Sequence, residues 1–234
     1  MSAAHQDRFY ALLDQLAAQV GGPRTLAACD GRMGWPGRGV YFFFEAGEAL
    51  EARPSALRVV HVGTHGVSQG SRSSLWNRLS QHRGTTRGGG SHRGSIFRKL
   101  VGEALIDRDA LALPSWGRAS SPGEAARRLE LSRDQLIALE APLEARVSEH
   151  IGAMPFLWLE VDDAPSKESL RGYIVRNAIA LLSGAGAATP SAGWLGHASP
   201  RAVISESGLW NQRHVGDTCD PRFLDSFEGW ISKM

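Results

Sequence analysis

Two apolar runs stand close together early in the chain, GVYFFFEAG at residues 39–47 and LRVVHVG at residues 57–63. Val40, Tyr41, Phe42, Phe43 and Phe44 follow one another without a break, bounded by Gly39 and by Glu45-Ala46-Gly47. Short runs rich in aromatic and β-branched residues read as buried strands. The gap between them suits an antiparallel pair, with the EAGEALEARPSA segment turning the chain. Each run carries one polar ring close to a glycine, Tyr41 beside Gly39 and His61 beside Gly63. Taken singly, each ring reads as a core side chain more readily than as a reacting one.

The remaining elements follow from periodicity and punctuation. Phe9, Leu12, Leu13, Leu16 and Val20 predict a helix over 5–20, followed by a Gly/Pro-rich connector to residue 37. Leu75, Trp76 and Leu79 predict a helix over about 73–83 with Ser73 or Ser74 as its cap. The GTTRGGGSHRG stretch, 84–94, reads as a flexible basic loop. Helices are expected near 95–106, over 124–152 with a break around Pro142, and over 166–183 with Ser166 as cap; a third strand is expected at about 155–161. Two short helices, about 200–206 and 221–231, complete the chain, and the Trp194-Leu195-Gly196 and Ser207–Asn211 motifs read as tail packing or as base-stacking rings. This order predicts an α+β fold: a small three-stranded antiparallel sheet flanked by helices. Residues 1–37 form an N-terminal helix and connector, 38–183 a domain with a helical insertion at about 107–152, and 184–234 a helical extension packed on it.

No stretch of the 234 residues approaches the roughly 20 uncharged apolar residues of a membrane helix. The expectation is a soluble, cytoplasmic protein without a membrane partner. Cys29 and Cys219 lie far apart, which fits a reducing compartment and makes no metal motif. Net charge is only +2, but its distribution is uneven. Arg72, Arg78, Arg83, Arg87, Arg93, Arg98 and Lys99, with His82 and His92, fall in a stretch that holds no Asp or Glu. Such a segment is the footprint of a polyanion partner or a solvated basic face.

Arg78 and His82 stand four residues apart on the predicted helix and share a face. A guanidinium holds two phosphate oxygens at once. A tyrosine or an imidazole can take a proton from water. Two strand rings, an arginine and a histidine would therefore suit a phosphodiester.

The ordered set GVY at 39–41, HVG at 61–63 and SLWNRLSQH at 74–82 resembles the GIY-YIG nuclease family, over roughly residues 38–183. The resemblance implies a DNA endonuclease using Mg2+ or Mn2+. Tyr41 would activate water, Arg78 would grip the scissile phosphate, and His82 would serve as phosphate ligand or proton carrier. His61 takes the place of the family's second tyrosine. His65, Arg72, Arg83, Arg87, His92, Arg93, Arg98 and Lys99 would bind the nucleic acid. The helix YIVRNAIALL, 173–182, resembles the one that bears the family's metal-binding glutamate, and Val175 occupies that glutamate's place. Valine has no oxygen to offer. Glu168 would lie two turns earlier on about the same face, ~10.5 Å along the axis, and Asp162 and Asp163 are further candidate ligands. Two readings follow, a metal-dependent endonuclease or an inactive nuclease fold serving as a DNA-binding or partner-regulating module. A double-strand cut would require two sites, from a dimer or from two binding events.

Overall fold

The computed structural model describes residues 3–166 and 168–234. Its architecture is α+β, one antiparallel sheet with helices on both faces. The strands are β1 (Arg24–Thr25), β2 (Gly39–Leu50), β3 (Arg53–Thr64) and β4 (Pro155–Glu160), in the order β1-β4-β2-β3. The sheet has four strands where three were expected. The extra one, β1, is two residues long and pairs with Phe156 and Pro155, too short to show any hydrophobic alternation. β2 and β3 also run beyond their apolar centres. The segment read as a turn is the outer half of a long hairpin that closes at Glu51-Ala52.

The helices are α1 (Ala3–Val20), α2 (Leu75–Arg83), α3 (Ile96–Arg108), α4 (Pro122–Arg128), α5 (Arg133–Ala153), α6 (Leu170–Ser183), α7 (Ala202–Ser207) and α8 (Phe223–Ile231). Pro142 sits inside an unbroken α5. The break falls earlier, where Ser132 and Gln135 form a capping box that starts α5. α6 begins at Leu170 with Ser169 as its cap, not Ser166. Among the described residues no helix is long and apolar enough to cross a membrane.

Strand alternation sorts β2 between two cores. Val40, Phe42 and Phe44 face Phe9 and Leu13 of α1, Ile174 of α6 and Phe227 of α8. Tyr41 and Phe43 face Leu75 and Leu79 of α2, Phe97 of α3, Val147 of α5 and the tail tryptophans Trp194 and Trp210. Phe42 and Phe43 are both fully buried, each contributing about 1.5–3 kcal/mol. Both ends of the chain thus enter the same interior as the hairpin.

The tail closes the free edge of β3. Trp210 donates its backbone N–H to the Val60 carbonyl at 2.7 Å. The Asn211 side chain mimics a peptide: its Oδ1 accepts from Val62 N–H at 3.0 Å and its Nδ2 donates to the Val62 carbonyl at 2.8 Å. Trp194 and Trp210 are buried, and both indole N–H groups donate to Glu45. These rings are packing elements and not stacking platforms, because no base can reach them.

Candidate active site

The two strand rings meet because of the hairpin register. Tyr41 lies opposite Gly63 and Phe43 opposite His61, so Tyr41 and His61 emerge on one face. Tyr41 lies over Gly63: a Cβ there would stand 2.5 Å from the phenol oxygen. A Cβ at Gly39 would come 2.6 Å from the Leu159 carbonyl of β4. Both glycines beside the polar rings therefore answer to close approach.

α2 brings the third ring. Ser74 caps it by accepting from Asn77 N–H, and Leu75, Leu79 and His82 point inward at helical spacing. His82 Nε2 is 2.8 Å from the Tyr41 hydroxyl, and its Nδ1 is 2.7 Å from Ser95 Oγ. His61 Nδ1 lies 3.1 Å from the Trp210 carbonyl. A carbonyl only accepts, so Nδ1 carries the proton and Nε2 keeps its lone pair. The His61 ring stacks on Phe97 with centroids 4.1 Å apart.

Burial governs the charge state of all three rings. It pushes the Tyr41 phenol up, and the nearby Arg78 guanidinium pulls it back in part. Burial brings His61 down to about 3 and His82 well below its ordinary value, with Arg78 adding to both effects. The rings are therefore neutral at neutral pH. Arg78 supplies the charge: half-buried, its guanidinium donates to the Gly94 carbonyl at 3.4 Å and forms no ion pair with an acid among the described residues. Tyr41 and His82 are each 2% exposed, and His82 meets the Tyr41 hydroxyl directly.

His65, at the exit of β3, is buried with no hydrogen-bond partner on either ring nitrogen. Burial first, then Arg171, lowers it to about 4. Arg171 of α6 is fully buried, pairs with Asp163 and donates to the His65 and Gly66 carbonyls. Val175 follows one turn later on that face and packs, half-buried, into the core beneath.

The donor set does not fit the expected Mg2+ or Mn2+. No group of three or more His, Cys, Asp or Glu among the described residues could hold a metal ion. Val175 offers no donor. Glu168 is exposed and precedes α6, so it does not share the helix face with Val175. Asp163 is engaged by Arg171, and Asp162 lies exposed 3.6 Å from Arg38.

The basic segment divides. Arg72 and Arg87 are exposed and carry no ion pair among the described residues. Arg83 lies over the Trp76 ring and donates to the Cys29 carbonyl. Lys99 is half-buried, with its Nζ 3.4 Å from the Gly117 carbonyl. His92, Arg93 and Arg98 are interior groups, contrary to their assignment as nucleic-acid contacts. Arg98 is fully buried and bound to Glu144; His92 stacks on Trp116 and donates to Glu144 at 2.9 Å; Arg93 forks onto Glu140 at 2.6 and 2.8 Å. The glycine-rich loop is packed at Gly84 and Gly90, whereas Thr85, Thr86 and Arg87 are exposed. A Cβ at Gly90 would come 2.1 Å from the Arg98 guanidinium, so glycine there permits close cover.

Sequence reasoning missed Ser95, Trp210 and Asn211 as parts of the site. A serine ahead of an apolar helical run is legible as a cap, but its bond to His82 comes from a different element. Trp210 and Asn211 lie about 150 positions from the strand that they hold. No curated protein and no solved structure matches this chain. A family model described as a GIY-YIG domain matches residues 1–234. With GVY at 39–41 and HVG at 61–63 on paired strands and Arg78 on the helix that follows, the chain belongs to the GIY-YIG domain family.

Proposed function

We propose that this protein is a phosphodiester hydrolase of the endonuclease type acting on DNA. The observation that carries the reading is the 2.8 Å contact between Tyr41 and His82, with the unpaired Arg78 guanidinium close enough to perturb both. Arg78 holds the scissile phosphate and offsets the charge that develops on its oxygens. Tyr41, with its oxygen against His82, takes the proton of the attacking water. Its apolar surroundings favour the neutral phenol, so as the Tyr41 oxygen takes the proton of water its own hydroxyl proton passes to an oxygen of the phosphate held by Arg78. Arg72, Arg83 and Arg87 of the same segment add to the cationic surface, and Lys99, 3.9 Å from Glu103, adds to it in part. Neutralising about five phosphates would give log affinity a slope near −4 to −5 against log salt.

A second reading is favoured by the metal donors. GIY-YIG nucleases are typically dependent on a divalent metal, and Val175 with the engaged Asp163 leaves no ligand cluster here. On this reading the fold binds DNA, or regulates a partner, without cutting.

Plasmid nicking with Mg2+ or Mn2+, by this chain and by Val175→Glu, divides the two. Nicking by both supports the hydrolase. Nicking by the Glu variant alone assigns the loss to the missing ligand. Salt-dependent binding without nicking by either establishes the DNA-binding module, and no DNA binding at all overturns the hydrolase and leaves the second reading only its partner-regulating form.

A further inference from the structure

We propose that Ser95 is a positioning residue of this site, fixing the tautomer of His82 and turning its Nε2–H toward the Tyr41 oxygen. Ser95 is 1% exposed and caps α3, where its Oγ accepts the Arg98 backbone N–H at 3.2 Å. Its one other hydrogen-bond neighbour is His82 Nδ1 at 2.7 Å. Burial holds the His82 imidazole neutral, so the ring carries one N–H.

Were that proton on Nδ1, Tyr41 O–H would donate to Nε2 and the buried Ser95 hydroxyl proton would lack an acceptor; with it on Nε2, Ser95 is paired and the Tyr41 hydroxyl proton is the one left free to leave, as a reacting phenol requires. That second arrangement has Ser95 O–H donating to Nδ1 and His82 Nε2–H donating to the Tyr41 oxygen at 2.8 Å. The Tyr41 hydroxyl proton is then left for an acceptor outside the protein, a water or a phosphate oxygen. An N–H aimed at the phenol oxygen also favours the phenolate, in the same sense as Arg78 and against burial. α3 holds His82 from both ends, because Arg98 Nη1 donates to the His82 carbonyl at 3.0 Å.

The inference rests on Tyr41 being the reacting group, but its test needs no DNA. Ring nitrogen shifts of 15N-labelled, DNA-free protein at pH 7 should show His82 bare at Nδ1 and protonated at Nε2. Ser95→Ala should give mixed tautomers, and Ser95→Thr should restore the single form. Ser95→Gly, which spares most of the helix cap, should match the Ala variant while α3 stays folded. In the nicking assay Ser95→Ala should lower kcat roughly tenfold with KM unchanged, and Ser95→Thr should recover most of it. A wild-type His82 protonated at Nδ1, or unchanged shifts in Ser95→Ala, overturns the proposal. Absence of nicking in every variant overturns the hydrolase reading and leaves the tautomer measurement to decide this one.

Discussion

The two halves of the basic segment read alike as sequence and end in opposite environments. Arg72 and Arg87 stand in solvent without ion pairs among the described residues, and Arg78 sits at the site without an acid. His92, Arg93 and Arg98, a few residues on, are interior and matched by Glu140 and Glu144. The acids that claim them come from α5, about 50 positions further along the chain. A run of positive charge therefore identifies a binding surface only after the fold has assigned its counter-ions. Arg78 is the cation that the fold leaves uncommitted beside three polar rings.

The largest effect that could break this contrast is at Glu144. Glu144→Ala would strand Arg98 and His92 in the interior and should cost about 3–5 kcal/mol, read by urea or thermal unfolding. Arg72→Ala should stay within about 0.5 kcal/mol; equal losses would abolish the distinction. Next, Arg78→Ala should lower nicking by about 10²–10³ while leaving the unfolding midpoint unchanged. Loss of stability without loss of DNA interaction would return Arg78 to the structural half.

Acid titration sharpens the comparison further. His61 takes up a proton near 6.5 when unfolded and only at about 3 when folded. Between those values the unfolded chain binds more protons, so stability falls as pH drops through that window. His65, lowered to about 4, adds to the same loss. Glu144 is held below its ordinary 4.5 by His92 and Arg98 against the upward push of burial. Its contribution, present above about 4.5, disappears only as pH falls further. His61→Asn, whose amide can still donate to the Trp210 carbonyl, should flatten the decline between pH 6.5 and 4.5 and leave the lower limb. An unchanged curve would show that the site histidines do not set it. The smallest effect is at Arg87: Arg87→Ala should reduce the salt slope of DNA binding by about 0.9. A folded Arg93→Lys should leave that slope unaltered.

Much of the site was legible before any fold was known. Tyr41, His61, Arg78 and His82 all stand in short motifs on elements of the expected type, and the structure gathers the three rings with Arg78 near enough to perturb them. The sequence leaves His82 as phosphate ligand or proton carrier, and its 2.8 Å contact with Tyr41 is added by the fold, because helical spacing does not say which side chain of a pair turns inward. Glu168 does not share the helix face of Val175 because α6 starts two residues after it, and helix starts depend on which of several serines caps.

The sequence alone determined the hairpin, its glycine-relieved polar rings and the helix that carries Arg78, because period-two and period-3.6 patterns and close-packed glycines are local constraints. Tertiary structure alone decided which cations are neutralised, which serine reaches His82 and which carbonyl orients His61. Those choices are contacts between distant segments, where burial sets the strength of every polar interaction and no local pattern records the partner.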